Sequence, residues 1–281
     1  MVRTKRSIEE EARVRRVSGQ NREDYLANPE VADLLEGEIL KELFAWGTEG
    51  VRRALVVGLE DQGRIALELV KAGVFVTVVE PDESLHEPVL QAAGNRGIQL
   101  NFYASDYMKR DFASSGFDMA IFYSTLASYN EPLVVLKKAA RELRAGGRVF
   151  ARVRVRPTLA PIEQLLGKIP HASKVTDKIG ELVAHVPSIQ AVLSLPDGAA
   201  LLEGAGEIFK IERSIKYHLI APVIGQLGVK PNAGQQLMKK ALPLVIKVDN
   251  VALKAKPLTL FATHLAFFGS KELGLGKTFK L

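Results

Sequence analysis

Residues 54-ALVVGLEDQGRIALELVKAGVFVTVVE-80 contain the strongest fold signal in the chain. A short apolar run leads through a glycine-containing turn into a helical pattern, and a β-branched apolar run follows. Parallel strands are near-continuous apolar runs because helices cover both faces of their sheet. The stretch therefore predicts two parallel strands, 54–58 and 74–80, joined by the crossover helix 64–73.

The same alternation continues on the carboxyl-terminal side of this unit. The further predicted elements are the strands 98–103, 117–123 and 148–155 and the helices 84–97 and 131–147. On the amino-terminal side, Asn28-Pro29 predicts the start of a helix that ends near Gly47, since proline is favoured at the first helical position. Together these elements predict an α/β fold with a doubly wound, mostly parallel, Rossmann-like sheet.

The alternation changes after Pro157. Two stretches, at about 157–195 and 222–257, are predicted to be helical inserts that cap the sheet, and the elements around them are a helix at 196–206 and strands at 207–221 and 258–269. Residues 1–27 alternate basic and acidic groups with few apolar anchors, which predicts a flexible N-terminal arm. Residues 28–281 are then expected to form one domain.

The composition restricts both chemistry and location. The 281 residues include no cysteine, which excludes disulfides, thiolate zinc sites and thiol nucleophiles. The chain starts with a polar segment and contains no run of about 18 apolar residues, so neither a signal peptide nor a membrane span is expected. These features fit a reducing compartment and predict a cytoplasmic protein.

The net charge of +6 is concentrated near the carboxyl terminus. Residues 207–281 contain 12 Lys and Arg against 4 Asp and Glu. Such a basic region could meet an acidic substrate, RNA or a membrane surface, although a solvated lysine surface is the simpler interpretation. No DNA partner is expected. The sequence also lacks the alternation of aromatic and basic residues that is typical of an RNA-recognition module. The formation of a homo-oligomer remains an open possibility.

In order and spacing, residues 28–270 resemble the class I S-adenosylmethionine-dependent methyltransferase family. Its first motif is a strand ending in an acidic residue, an apolar residue and Gly-x-Gly-x-Gly, followed by a helix whose first amide groups face the ligand. By spacing, the acidic position falls on Val57, the first glycine on Leu59 and the second on Asp61. Only the last glycine is kept, as Gly63, while Gly58 lies one residue out of register. The turn also lacks the dinucleotide and phosphate-loop fingerprints, which disfavours a nucleotide-dependent oxidoreductase.

Further markers lie after the later strands. Glu80 ends the second strand about 20 residues past the turn, where a carboxylate can bind ribose hydroxyls, whereas Asp82 is expected to cap the next helix. By the resemblance, Asp106 would contact the adenine amino group and Tyr107 would pack on its ring. Residues 117–132 resemble the fourth strand and its loop, where Tyr123, Ser124 and Thr125 would line the methionine end. The resemblance thus implies S-adenosylmethionine as cofactor, bound through Gly58, Leu59, Gly63, Glu80, Asp106, Tyr107 and Tyr123.

No catalytic residue is identified by the sequence. After the fourth strand there is no Asn-Pro-Pro-Tyr or Asp-Pro-Pro-Tyr, which argues against the adenine-N6 and glutamine-methylating branches. The histidines have no metal-ligand spacing, and structural roles are favoured for all of them; they are His86, His171, His185, His218 and His264. His218 follows a predicted strand near the expected substrate side, and His264 lies in an apolar strand. No metal site is predicted.

Two functions remain. The first is methyl transfer from S-adenosylmethionine to a small hydrophobic or anionic acceptor by direct in-line displacement, helped by proximity and desolvation. The alternative is a methyltransferase-like binding or scaffold protein that has lost catalysis, as the replacement of two glycines by Leu59 and Asp61 would suggest. Because the turn decides between them, the enzyme assignment depends on whether it still binds the cofactor.

Overall fold

The computed structural model describes most of the chain between Asn28 and Glu272. The described residues are 28–95, 97, 100–112, 116–156, 195–218, 221–222, 235–254 and 262–272, together with residues 11, 14 and 26.

Seven of the described segments form one sheet. The strands are β1 (Arg53–Val57), β2 (Phe75–Val79), β3 (Asn101–Tyr103), β4 (Phe117–Tyr123), β5 (Leu143–Arg154), β6 (Lys210–Tyr217) and β7 (His264–Ser270). Their spatial order is β3-β2-β1-β4-β5-β7-β6. The first five strands are parallel, and β7 is antiparallel to both β5 and β6. The predicted doubly wound, mostly parallel sheet is therefore confirmed.

Helices cover both faces of this sheet. The described helices are α1 (Pro29–Gly47), α2 (Arg64–Lys71), α3 (His86–Gly94), α4 (Pro132–Glu142), α5 (Gly198–Ile208) and α6 (Gln235–Ala252). Successive strand residues point to opposite faces, so Val56 packs in a first core with α1, α2 and α6, whereas Val57 packs in a second core with α4 and α5. The start of α1 is as predicted, because the Asn28 side chain accepts a hydrogen bond from the Val31 amide (3.3 Å).

The main difference from the predicted elements lies before β5. The helix expected at 131–147 ends at Glu142, and β5 already begins at Leu143. Phe117 pairs with Leu143 and Met119 with Arg148, so the intervening residues of β5 loop out of the register. Gly146 there has a φ of 73°, which agrees with the geometric role expected of this glycine turn.

The predicted arm and inserts are described only in part. In the N-terminal segment, Val14 is buried in the second core and Glu11 forms an ion pair with Arg141, so these points of the arm lie against the domain. The predicted insert at 157–195 lies outside the described residues, apart from Leu195. In the second insert, α6 is a helix, as expected, and its Leu242 is buried in the first core. Among the described residues, no helix has the length and apolar character needed to cross a lipid bilayer.

Candidate cofactor and acceptor site

The predicted site residues converge on the carboxyl edge of the parallel strands. The chain crosses from β1 to β2 on one side of β1, while β4 lies on its other side, so the strand order reverses between β1 and β4. Open α/β sheets bind ligands in the crevice beside such a reversal. The turn after β1, Glu80 after β2, Asp106 after β3 and Ser124 after β4 all lie at this edge.

Gly58 starts the turn after β1, and only glycine fits there. Its φ is 94°, and its amide donates to the Val79 carbonyl oxygen (3.0 Å). An added Cβ would lie 1.9 Å from Thr125 Oγ1 and 2.3 Å from Glu60 Oε2, which is a severe overlap. The first left-handed residue of the turn is therefore Gly58, not the position assigned by spacing to Leu59.

Leu59 contributes its backbone to the edge and its side chain to the core. The side chain is fully buried in the first core, and the amide donates to Glu80 Oε2 (3.1 Å). Leu59 could therefore contact the cofactor only through its backbone. Cofactor binding by Leu59 stays a prediction.

Asp61 occupies the start of α2. Its carboxylate accepts hydrogen bonds from the amides of Gly63 (3.0 Å) and Ile65 (2.9 Å). Burial raises the pKa of this carboxyl, and the two amide hydrogen bonds oppose that rise. The first amide groups of α2, expected from the sequence to face a ligand, are in fact engaged by Asp61. Gly63 itself has a φ of 72° and packs closely on Val89.

Glu80 is fully buried at the end of β2. Its Oε2 atom accepts from the Leu59 amide (3.1 Å), and Oε1 accepts from the Asp82 amide (2.8 Å). A carboxylate at this edge is suited to accept hydrogen bonds from ribose hydroxyls, and that role stays a prediction. Asp82 instead accepts from the Ser84 amide and caps the short helix that follows, as the sequence predicted.

Asp106 and Tyr107 separate at the end of β3. Asp106 is half-buried and accepts from the Met108 amide (2.8 Å). Tyr107 is fully buried in the second core, where its hydroxyl donates to Glu142 (2.6 Å) and Lys138 Nζ lies 4.0 Å from its ring centroid. Burial and the Glu142 carboxylate raise the pKa of Tyr107 well above its usual value. The ring is therefore a core element with no exposed face for an adenine, contrary to the stacking role expected from the sequence.

The residues after β4 face a second group of polar side chains. Tyr123 is buried beneath the Arg152 guanidinium, 5.3 Å from its carbon to the ring centroid, and burial raises the Tyr123 pKa well above its usual value. Ser124 has a φ of 69°, and its hydroxyl lies 2.5 Å from an Arg152 nitrogen. The Thr125 hydroxyl lies 2.6 Å from the Val57 carbonyl oxygen and 3.0 Å from Glu60 Oε2.

Sequence analysis missed a buried ion pair at this edge. Arg152 of β5 and Glu36 of α1 are both fully buried, with 2.5 Å between Nη2 and Oε1. The Tyr217 hydroxyl donates to Glu36 Oε2 (2.9 Å) and lies 3.1 Å from Arg152 Nε. We call Glu36, Ser124, Arg152 and Tyr217 the buried network. Burial raises the pKa of Glu36, but the charge and hydrogen bond of Arg152 together with the nearby His218 and His264 outweigh it and hold the value at about 2.

Two of the three described histidines lie against the buried network, while His171 and His185 lie outside the described residues. His218 directly follows β6, with Nε2 3.8 Å from Glu36 Oε1, and burial lowers its pKa to about 4. His264 begins β7 and is fully buried, with Nδ1 2.9 Å from the Thr263 hydroxyl. The one sequence signal for this region was Arg152, a charged residue between the apolar residues Ala151 and Val153 of a strand. Within the described ranges, no group of histidine, aspartate or glutamate side chains is arranged to hold a metal ion.

Comparison with known proteins agrees with this architecture. The family described as "Methyltransferase domain" matches residues 55–151, which span β1 to β5. The search of curated proteins found no match to the chain.

Several solved structures share the fold at low sequence identity. The [4+2]-cyclase SpnF has a TM-score of 0.55 and 14% identity, covering 92% of this chain and 98% of its own. The N-methyltransferase NodS from Bradyrhizobium japonicum WM9, in complex with S-adenosyl-L-homocysteine, has a TM-score of 0.51 and 11% identity, covering 95% and 97%. An S-adenosylmethionine-dependent methyltransferase from Mesorhizobium loti has a TM-score of 0.51 and 14% identity, covering 84% and 97%.

The family match and the solved structures describe one segment of the chain and its fold. Residues 55–151 match the family described as "Methyltransferase domain", and the chain has the fold of the class I S-adenosylmethionine-dependent methyltransferases, as the sequence resemblance implied.

Proposed function

We propose that this chain binds S-adenosylmethionine and transfers its methyl group directly to a small acceptor. The observation that carries the proposal is the buried carboxylate of Glu80 at the strand-order reversal, beside the turn that begins at Gly58. When bound there, the cofactor would supply an electrophilic methyl group on a sulfonium.

The described residues fit the nucleoside half of this cofactor. Glu80 would hold the ribose hydroxyls, because a carboxylate at the end of the second strand can accept their hydrogen bonds, and Asp106 would accept from the adenine amino group. Both carboxylates are already oriented by backbone amides, which lowers the entropy lost on binding. The Gly58 turn would lie against the opposite end of the ligand.

The amino-acid half of the cofactor fits less well. Asp61 fills the helix start that would otherwise attract a carboxylate, and the Glu60 carboxylate lies over Gly58. We therefore expect a weaker affinity than the nucleoside half alone would suggest. Asp61→Asn removes the charge and keeps one oxygen acceptor, so it should bind S-adenosylhomocysteine several-fold more tightly in calorimetric titration. Unchanged or weaker binding would contradict this electrostatic explanation.

The acceptor would lie toward β4, β5 and β6. The side chains there are the aromatic rings of Tyr123 and Tyr217 and the network cation Arg152, which is already bonded to Glu36. Because Arg152 is neutralised by that carboxylate, a hydrophobic acceptor is favoured over an anionic one. Catalysis would rest on proximity, orientation and exclusion of water.

Calorimetric titration with S-adenosylmethionine and S-adenosylhomocysteine tests the proposal directly. We expect micromolar binding by the unmodified chain and a loss of at least tenfold in Glu80→Ala. Glu80→Gln is the matched control, because it keeps the size of the side chain and one oxygen that can accept the Leu59 amide. It should bind with intermediate affinity. Equal affinity in all three proteins would mean that Glu80 does not hold the ribose.

The alternative is a methyltransferase-like binding or scaffold protein. The Asp61 carboxylate at the start of α2 is the observation that favours it, since it opposes the negatively charged end of the cofactor. This alternative predicts no calorimetric signal with either ligand at millimolar concentration. The same experiment therefore separates the two functions.

A cytoplasmic location and a partner for the basic residues 207–281 remain proposals of lower rank. On β6, Lys210 and Arg213 are exposed, and Arg213 forms an ion pair with Glu42 (2.9 Å). Salt-sensitive binding to RNA or to anionic vesicles would support an anionic partner. The absence of such binding would favour a plain solvated surface.

A further inference from the structure

His218 carries a buried imidazole at the end of β6. Only 3% of the residue is exposed, and neither ring nitrogen has a hydrogen-bond partner among the described residues. Buried polar groups in native proteins are nearly always paired, so an exception calls for an explanation. A position that receives a polar group of a ligand is one such explanation.

The backbone holds this imidazole in a strained position. His218 has a φ of 59°, in the left-handed region that side chains rarely adopt. Its carbonyl oxygen accepts from both the amide (2.9 Å) and the hydroxyl (3.1 Å) of Thr263. Strained residues that neighbouring contacts fix in this way concentrate at functional sites.

The surroundings keep the ring neutral although two carboxylates lie near it. The charged and titratable groups around it come from five elements: Glu36 on α1, Arg152 on β5, Tyr217 on β6, His264 on β7 and Asp249 on α6. Asp249 also accepts a hydrogen bond from the Ala221 amide. Burial lowers the pKa of the imidazole to about 4, so near neutral pH the ring is uncharged and keeps a lone pair that can accept a hydrogen bond.

One guanidinium connects this imidazole to the cofactor edge. Arg152 contacts the Ser124 hydroxyl at the end of β4 and Glu36 on its other side, and Glu36 Oε1 lies 3.8 Å from His218 Nε2. Ser124 follows the strand that adjoins β1 at the strand-order reversal. The imidazole and the proposed cofactor site therefore share the carboxyl edge and are bridged by the buried network.

We propose that His218 is the general base of the methyl transfer and that the acceptor is a hydroxyl group on an aromatic or apolar frame. This inference rests on the proposed function. The acceptor oxygen forms a bond to the methyl carbon as the carbon–sulfur bond of the cofactor breaks with its electron pair left on sulfur. The hydroxyl proton passes to His218, and the resulting imidazolium lies 3.8 Å from the Glu36 carboxylate.

The network disfavours other classes of acceptor. A carboxylate or a tertiary amine has no proton that a base must remove, and a carboxylate would need a cation that Arg152, bonded to Glu36, does not supply. A hydroxyl on an aromatic frame instead matches the rings of Tyr123 and Tyr217. Glu36 and Arg152 then act as positioning residues for His218 and Ser124.

Two substitutions at His218 keep the backbone and remove the base. Asparagine and glycine both tolerate a left-handed φ, so His218→Asn and His218→Gly should fold. His264→Asn is the matched control, because it removes a neighbouring imidazole, 5.3 Å away between ring centroids, whose Nδ1 already lies in contact with Thr263.

The first measurement is turnover with trideuteromethyl-labelled S-adenosylmethionine and a panel of phenols, alcohols, amines and carboxylic acids, read by mass spectrometry. We expect label on a phenol, a fall in kcat of about 100-fold in His218→Asn with KM within threefold, and a much smaller effect in His264→Asn. Added imidazole should restore part of the rate in His218→Gly. The proposal would be overturned if the label appeared only on amines or acids, or if no hydroxyl were labelled. It would also be overturned if the kcat of His218→Asn stayed within threefold of that of the unmodified chain.

The second measurement does not depend on turnover. With the chain saturated with S-adenosylhomocysteine, 4-nitrophenol should bind with a saturable absorbance change, at least tenfold more weakly in His218→Asn. Absent binding, or equal affinity in the variant, would overturn the assignment of His218. Titration of the unmodified chain with S-adenosylhomocysteine alone identifies which idea has failed. No binding there defeats the proposed function, whereas normal binding with a negative result above defeats only the base and its acceptor.

Discussion

Removing His218 should make the chain less sensitive to mild acid. In the unfolded chain an imidazole titrates at its usual pKa of 6.5, whereas burial lowers the pKa of His218 in the folded chain to about 4. Between these two values the unfolded chain binds one more proton than the folded chain. The free energy of unfolding therefore falls as the pH drops from 6.5 toward 4, and the contribution is fully present above pH 6.5.

The size of this effect follows from the shift. The full difference corresponds to about 3 kcal/mol, of which about 2 kcal/mol should be lost between pH 7 and pH 5. In His218→Asn this component disappears, so the unmodified chain should lose about 2 kcal/mol more than the variant over that interval.

Urea denaturation at pH 8, 7 and 5 measures the difference. The single tryptophan, Trp46, ends α1 and packs edge-on against Phe268 with 5.1 Å between ring centroids, so its fluorescence reports on the core face that contains Glu36. The measurement at pH 8 gives the baseline, because there the imidazole is neutral in both states. Equal losses in the two proteins between pH 7 and pH 5 would refute the idea that His218 is held neutral by burial.

Three further substitutions test the turn, the second core and the buried network. Gly58→Ala should abolish S-adenosylhomocysteine binding. It should also lower the free energy of unfolding by more than the roughly 1–2 kcal/mol expected of a left-handed φ alone. Gly73→Ala is the control, because Gly73 has a φ of 81° but open space around it, so urea denaturation should show only that smaller loss. Tyr107→Phe should lower the free energy of unfolding by about 1–2 kcal/mol, because it removes a buried hydrogen bond. The calorimetric affinity for S-adenosylhomocysteine should stay within twofold. A larger loss of affinity would indicate that Tyr107 does contact the cofactor. Arg152→Met should lower the free energy of unfolding by about 3–5 kcal/mol, because it leaves the buried Glu36 charge unpaired. Adding Glu36→Gln removes that charge and should restore part of the lost stability. A double variant no more stable than Arg152→Met would contradict this explanation.

The fold was largely predictable because its signals are local. The apolar runs 54–58, 74–80 and 117–123 each became a parallel strand within one or two residues, and the Asn28-Pro29 helix start was correct. The boundary between α4 and β5 was not predicted, since Leu143 joins the sheet through pairing with Phe117, and a residue 26 positions away leaves no local signal.

The site was predictable only where its residues follow strands. Glu80 and Asp106 were located correctly at the carboxyl edge, because parallel strands place their ends together. Tyr107 was assigned by adjacency to Asp106, but a neighbouring residue points to the other side of the chain, and here that side is the second core. Spacing likewise assigned the first glycine of the turn to Leu59, whereas the backbone needs its left-handed residue at Gly58.

The sequence alone therefore determined the order of strands and helices, the edge at which they expose polar residues, and the resemblance to the methyltransferase class. These depend on periodicity, which is a property of neighbouring residues. Tertiary structure alone decided that Glu36 and Arg152 form a buried pair and that Asp61 closes the start of α2. It also placed His218 beside Glu36 with no hydrogen bond from either ring nitrogen to a described residue. Glu36 and Arg152 are 116 positions apart in the sequence. Their charges form an ion pair only because folding brings both side chains into the interior, where each needs an oppositely charged partner.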